Sequence, residues 1–276
     1  MTTPPDPAWV DALRGRFRGE LVASSLRFWR SVDSTNDRAR EWLDAGGPDG
    51  LVVLAGEQTA GRGRRGRSWS SPPGMGLYLS IGCRPELPSG CAGWLTFLGA
   101  VAAAEALHGS GVEAEIRWPN DLDVRGRKVA GVLAESRFDG TRLASAVVGI
   151  GINVGQRPDD FPPDLSGRAT SVRLERGEVP PAEALAGDLL ERLGHWYGEL
   201  QVAGADGGGS RLLERWRELA PGHTGQAVVV ESEGEILRGT TRGIEPDGAL
   251  VLECEDGRRR PIRAGELRRL RVDEAG

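Results

Sequence analysis

Two long strand-like runs, KVAGVLAESRF (128–138) and RLASAVVGIGINV (142–154), flank an Asp139-Gly140 step. Asp-Gly between two such runs signals a hairpin, so they pair as antiparallel strands. That pairing constrains the faces, because successive strand side chains point to opposite sides. Val148, Ile150, Ile152 and Val154 share one face, which reads as core, while Gly149, Gly151 and Asn153 share the other. Glycine weakens a strand interior and makes sense where a ligand or another backbone comes close. Two explanations fit equally well: a flat molecule over Gly149 and Gly151 with Asn153 at its rim, or a β-bulge or tight strand packing.

The remaining chain supplies partners for this hairpin. Residues 7–18 predict a short helix and Leu26 to Val32 a strand; SVDSTNDRAREWLDAGG predicts a helix with Ser34 or Thr35 as N-cap, Asp37 in its first turn and Gly46 past its end. LVVLAG (51–56) reads as a strand buried on both faces, GLYLSIGC (76–83) as another, and 91–108 as a buried helix. RWPND (117–121) ends a strand in a turn, since proline cannot donate to a ladder. Pro181 to Gln201 is helical, with Leu185, Leu189, Leu193, Trp196 and Leu200 on one stripe, and GADGGGS (204–210) predicts a flexible connection to a further helix, RLLERWREL. Beyond PGHTG (221–225) the texture becomes short alternating runs between glycine-rich turns, the pattern of a small antiparallel barrel. The expected division is therefore a domain over 1–220 and an all-β one over 221–276.

At 276 residues, a chain of this size accommodates one large or two unequal domains. Its formal charge of -5 argues against general nucleic-acid binding, so any anion site must be local. The N-terminal MTTPPDPAWVDALRGRFRGE breaks early with proline and charge, unlike a signal peptide, and the longest apolar stretch, Trp94 to Leu107, is too short for a bilayer. A cytoplasmic location is expected. Cys83, Cys91 and Cys254 form no CxxC pair, which points to reduced thiols and no zinc site.

Of 35 basic residues only Lys128 is a lysine, and only three asparagines occur, Asn36, Asn120 and Asn153. A GC-rich coding bias explains the scarcity but not the survivors. An ammonium is a compact, strongly hydrated charge whereas guanidinium is a broad fork, so a site needing the former does not accept the latter. Lys128 opens the KVAG strand, Asn120 lies in WPND and Asn153 ends GIGIN. A third segment, GRGRRGRSW (61–69), alternates Arg62, Arg64, Arg65 and Arg67 with glycine. Four like charges repel and glycine removes restraint, so this loop should be mobile until a polyanion orders it. Guanidinium forks match phosphate or carboxylate oxygens in pairs, and Trp69 offers a face for a purine. A solvated loop or an RNA-gripping Arg-Gly stretch are the alternatives. Asn120 and Asp121 have the reach for a ribose or a magnesium-bound phosphate, although turn chemistry accounts for each singly.

Ser34-Thr35-Asn36, Gln58, GRGRRGRxW at 61–69, WPND at 118–121, KVAGVLAE at 128–135 and GIGINV at 149–154 together resemble, in order and spacing, the biotin protein ligases, over residues of about 25 to 271. The resemblance implies an α+β fold: a mixed β-sheet flanked by helices, of the class II aminoacyl-tRNA synthetase/biotin synthetase type, followed by a small SH3-like barrel. It implies an ATP-dependent ligase that joins biotin to ATP as biotinyl-5'-AMP and transfers the biotinyl group to one lysine of a biotin carboxyl carrier domain, with Mg2+ accompanying ATP. By motif, Arg62, Gly63, Arg64 and Lys128 surround the biotin carboxylate and α-phosphate, Arg64 and Lys128 being catalytic. Ser34, Thr35, Asn36 and Gln58 lie near the biotin rings, and Gly131, Gly149 and Gly151 complete that pocket. Arg64, Arg67, Trp69, Asn120, Asp121 and Asn153 are placed with nucleotide or magnesium, and no residue is assigned as a dedicated metal ligand. His108, His195 and His223 lie outside every motif. Bifunctional members carry a helix-turn-helix domain, for which too few residues precede the first motif, so DNA binding is not expected; no membrane partner is expected, and a homodimer is left open. A lipoate protein ligase would share the architecture without the GRGRRGRxW loop, and an RNA-binding regulator predicts salt-sensitive RNA affinity without ATP consumption.

Overall fold

The computed structural model describes residues 6–232, 234–263 and 265–269. The 128–154 hairpin forms as β6 (Arg127–Asp139) and β7 (Arg142–Asn153). Around it lie β1 (Leu26–Trp29), β2 (Leu51–Ala55), β3 (Gly76–Cys83), β4 (Glu115–Arg117) and β5 (Asp121–Val124), giving a seven-stranded sheet in the order β1-β2-β3-β7-β6-β5-β4. Only the β1–β2 pair is parallel. The register sets Gly151 of β7 opposite Gly131 of β6 and Tyr78 of β3, and Gly149 opposite Leu133 and Ser80. The bare stretch thus sits mid-sheet.

Helices cover both faces. α1 (Ala8–Arg16) packs against the long α5 described below, and α2 (Thr35–Asp44) lies over β2, β3 and β7 on the glycine side. On the opposite face α3 (Gly93–Gly109) crosses β6 and β7 and is itself covered by α5 (Ala182–Leu219); a fourth, short helix, α4, spans Val172–Arg176. Van der Waals contact is close enough that a Cβ on Gly99 would stand 2.8 Å from Val132 Cγ1 and 2.9 Å from Val148 Cγ1. Counted with the turn before it, Ser89–Gly109 is 21 residues and is long and apolar enough to cross a membrane, contrary to the expectation from Trp94 to Leu107 alone. A helix apolar all round is also what a core between two layers requires, and 67% of its apolar window is buried inside this fold.

Two elements differ from expectation. β1 ends at Trp29, and Val32 makes only an isolated bridge to Gln58. The backbone of 204–210 is helical, so the expected pair of helices is one of 38 residues. Tertiary packing overrides glycine's poor propensity: a Cβ at Gly209 would overlap the Trp94 indole, so the missing side chain lets α3 and α5 approach.

Five antiparallel strands follow, β8 (Thr224–Ser232), β9 (Glu235–Ile244), β10 (Leu250–Cys254), β11 (Arg259–Ile262) and β12 (Glu266–Arg269), in the order β11-β10-β9-β8-β12. One apolar core runs through both sheets, joining Phe97 and Trp216, stacked at 4.7 Å, to Val228, Ile244 and Leu250. Trp94 Nε1 donates to Pro246 O at 2.7 Å and Trp118 Nε1 to Gly248 O at 3.1 Å, so the junction is also hydrogen-bonded.

Gly209→Val should lower unfolding free energy by about 1–3 kcal/mol in urea titrations through overpacking. Gly198→Ala, where nothing stands within 4 Å of the added atom, should raise it by about 0.5–1 kcal/mol. Equal effects at the two positions would contradict close α3–α5 packing.

Candidate functional site

The glycine face of the sheet, the N-terminus of α2, the arginine loop and the β4–β5 turn enclose a cavity of about 1640 Å³. Every residue singled out in the sequence lines it: Ser34, Thr35, Asn36, Gln58, Arg62, Gly63, Arg64, Arg67, Trp69, Asn120, Asp121, Lys128, Gly131, Gly149, Gly151 and Asn153. The lining also carries nine cationic residues against four aspartates, on a chain whose formal charge is -5. Low-dielectric walls focus such a field and draw in anions.

The floor is the bare stretch of β7. A Cβ on Gly149 would overlap Asn36 Oδ1, and one on Gly151 would lie 2.5 Å from the indole of Trp69, which also spans Gly131. The flat body over these glycines is therefore the Trp69 ring itself, together with the Asn36 amide. An indole buries its apolar face where no side chain intervenes, and its Nε1 has no partner among the described residues.

The wall at α2 is an oriented polar chain. Gln58 Oε1 accepts from Thr35 N at 2.8 Å and Thr35 Oγ1 at 3.0 Å, Gln58 Nε2 donates to Ser71 Oγ at 2.9 Å, and that hydroxyl lies 3.2 Å from Trp69 O. Asn36 Nδ2 donates to Glu135 Oε2 at 2.7 Å and Leu133 O at 3.3 Å, while its Oδ1 lies 2.7 Å from the Ser80 hydroxyl. These bonds fix each amide in one orientation, since buried donors and acceptors left unpaired are costly. Ser34 takes the N-cap position, but its side chain makes no cap hydrogen bond.

In the arginine loop, expected to be mobile, the stem is closed by Trp69 N donating to Gly61 O at 2.8 Å and Gly63 N to Arg67 O at 2.6 Å. The tip turns through Arg65 and Gly66, both at positive φ. Arg62 turns to acidic partners, while the charges of Arg65 and Arg67 still act on Arg64. Arg62 pairs with Asp37 at 2.8 Å and Glu135 at 2.9 Å, and Arg65 reaches Glu231 O at 3.4 Å. Arg64 donates to Asn120 Oδ1 at 3.2 Å. Burial lowers the Arg64 pKa against the opposing pull of Asp121, yet a guanidinium remains protonated.

At the far end Lys128 Nζ lies 2.5 Å from Asp121 Oδ1 and 5.2 Å from the Trp69 ring centroid, and Arg117 bridges Asp121 at 2.7 Å and Asp123 at 3.2 Å. Burial pushes the Asp121 carboxyl up, but Lys128 and Arg117 outweigh it and hold the group below its ordinary range. Asn153 Nδ2 donates to Thr170 O at 3.0 Å and its Oδ1 accepts from Gln156 Nε2 at 3.3 Å, tying the end of β7 to the segment beyond it. Among the described residues no group of three or more His, Cys, Asp or Glu could hold a metal. A magnesium ion carried by phosphates needs only one or two carboxylates, which the neighbouring Asp121 and Asp123 fit.

Sequence reasoning missed Ser71, Ser80, Glu135, Arg117 and Asp123. Strand alternation alone puts Glu135 on the face of Gly131; the other four emerge only from register and loop geometry.

Residues 28–153 match the Biotin/lipoate A/B protein ligase family and 223–267 the Biotin protein ligase C terminal domain. A biotin--[acetyl-CoA-carboxylase] ligase of Mycobacterium tuberculosis is 33% identical, the match covering 94% of this chain and 99% of that one. A protein of the same name from Paracoccus denitrificans is also 33% identical, over 82% and 93%. The solved biotin protein ligase from Aquifex aeolicus in complex with biotin and ATP superposes with a TM-score of 0.73 at 27% identity, covering 89% of this chain and 99% of that one.

Because Asp121 is depressed when folded, its contribution to stability is present above the ordinary carboxylate value and is lost as pH falls below about 4. Asp121→Asn should flatten the acid limb of stability against pH in urea titrations. An acid limb as steep as that of the unaltered protein would contradict the pairing.

Proposed function

The chain belongs to the biotin protein ligase family, and from that premise we propose that it activates biotin with ATP and transfers the biotinyl group to a lysine of a biotin carboxyl carrier domain, such as that of acetyl-CoA carboxylase. The observation that carries this reading is the cationic cavity over a glycine floor with an oriented amide wall. The amide wall and floor suit an uncharged ring system with an alkyl tail, and the cations suit the two anions that must meet.

In the first step a biotin carboxylate oxygen attacks the α-phosphorus of magnesium-bound ATP. A carboxylate–phosphorus bond forms, the bond to the bridging oxygen breaks, and pyrophosphate leaves. Repulsion between the carboxylate and the phosphate oxygens is the barrier, so fixed cations and in-line positioning supply the rate. Lys128 and Arg64 serve as these cations. Lys128 is drawn off Asp121 when a more strongly charged anion arrives, and Asp121 is then open to nucleotide or magnesium. Ser34, Thr35, Asn36 and Gln58 form the ring side of the pocket, Gly131, Gly149 and Gly151 its floor, and Arg62 and Gly63 the loop stem beside it. Trp69, Arg67, Asn120 and Asn153 line the nucleotide side. In the second step the carrier lysine amine attacks the biotinyl carbonyl, an amide forms, AMP leaves and the amine proton passes to solvent. The loop tip shelters the mixed anhydride from water between the steps.

Residues 1–220 carry this chemistry as one domain and 221–276 form a second that abuts the cavity through Gln226, Gly265 and Leu267. The reaction belongs in the cytoplasm, where ATP and the carboxylase are found together. Lipoate ligation is disfavoured by the match of 223–267 to the Biotin protein ligase C terminal domain, and RNA binding by the acid-paired Arg62 and the net negative charge.

Incubating the protein with MgATP, carrier domain and either biotin or lipoate should add only the biotinyl mass to the carrier; lipoyl transfer, or no transfer, overturns the reading. Lys128→Arg keeps the charge but enlarges the head, and biotin-dependent pyrophosphate exchange should fall at least about 100-fold; near-normal exchange contradicts a need for a compact cation. Arg64→Gly should raise the release of biotinyl-AMP into solution, and an unchanged release rate with normal turnover removes the loop tip from the sheltering role.

A further inference from the structure

We propose that Glu135 is a positioning residue of this ligase, tying the first arginine of the loop to the wall of the biotin cavity so that the loop opens only beyond Arg62. The inference rests on the reading above. One carboxylate oxygen, Glu135 Oε2 on β6, lies 2.7 Å from Asn36 Nδ2, 2.8 Å from Arg40 Nη2 and 2.9 Å from Arg62 Nη2. Two of the donors belong to α2 and the third to the loop, so a single group holds three segments together. Asp37 completes the cluster, 2.8 Å from Arg62 and 3.3 Å from Arg40. Two guanidiniums thus face two carboxylates, and the Arg62 charge is balanced at the rim.

Asn36 cannot reorganise freely if this acceptor is lost. It is 4% exposed, its Oδ1 is set by Ser80, and its other Nδ2 hydrogen has only Leu133 O at 3.3 Å. The same amide lies against the backbone of Gly149, so a shift of Asn36 changes the floor of the cavity. Arg62 begins the stem whose other strand ends in Trp69, so freeing Arg62 loosens the seat of the indole as well. Floor and cover are therefore set by one carboxylate that does not itself line the cavity. The arginines divide accordingly: Arg62 is anchored by two carboxylates, whereas Arg64 and Arg65 donate to neutral acceptors, Asn120 Oδ1 and Glu231 O.

Glu135→Gln preserves size and an acceptor but removes the charge that two guanidiniums share, and charge-assisted bonds are the stronger class. The test measures KM for biotin, KM for ATP and the release rate of biotinyl-AMP for the unaltered enzyme, Glu135→Gln, Arg62→Met and the double variant. Expected in each single variant are a biotin KM raised about tenfold, several-fold faster release and an ATP KM within about twofold. The double variant should be no worse than Glu135→Gln alone, since both remove one interaction. Additive effects, equal shifts in both KM values, or unaltered kinetics overturn the proposal. Should Glu135→Gln fail to fold, Arg62→Met decides alone, because an exposed ion pair contributes little to stability: a normal biotin KM and release rate in it overturn the proposal. Failure of the unaltered enzyme to charge a carrier with biotin would instead overturn the functional reading.

Discussion

A strand buried in the middle of a sheet normally gains its stability from side chains on both faces, and β7 forgoes two of them on one face. Gly149 and Gly151 sit between β3 and β6, where each missing side chain weakens the strand. Packing of Val148, Ile150 and Ile152 beneath α3 offsets that loss on the other face. The bare strip is what allows Asn36 and Trp69 to rest on backbone, and from those two contacts hang the α2 wall, the loop stem and the depth of the cavity. The site is thus a sheet defect held open by a well-packed opposite layer.

Charge is arranged on that floor with a similar division of labour. Acidic partners hold Arg62, Arg117 and Lys128 in place, whereas Arg64 is held by a neutral amide and is partly desolvated. A desolvated cation beside a neutral partner interacts strongly with an arriving anion, because less solvent screens it. Lys128 differs, since its attachment to Asp121 must be exchanged for the substrate. Its compact ammonium on a flexible stem suits such an exchange better than a planar fork. That gives a physical reason for one lysine to persist in a chain that otherwise uses arginine.

Much of this was legible from the sequence because it is local. The alternation in 142–154 and the Asp139-Gly140 step set the hairpin and its two faces; the motif glycines and the cationic loop marked the cavity. What stayed hidden depended on tertiary contact. The helical run through 204–210 follows from the Trp94 ring against Gly209, which no local propensity encodes. Ser80 and Ser71 become meaningful only once β3 pairs with β7 and the loop folds back. The Lys128–Asp121 pair links two motifs that the sequence presents separately, across the β5–β6 pairing.

The central claim is that the glycine strip of β7 shapes the biotin pocket by seating the Asn36 amide and the Trp69 ring directly on backbone. Calorimetric titration of biotin into Gly151→Ala tests it most directly, since the added methyl projects into the space beneath Trp69. A loss of affinity of at least about tenfold with cooperative unfolding retained is predicted. Affinity equal to that of the unaltered protein would place biotin elsewhere and contradict the account.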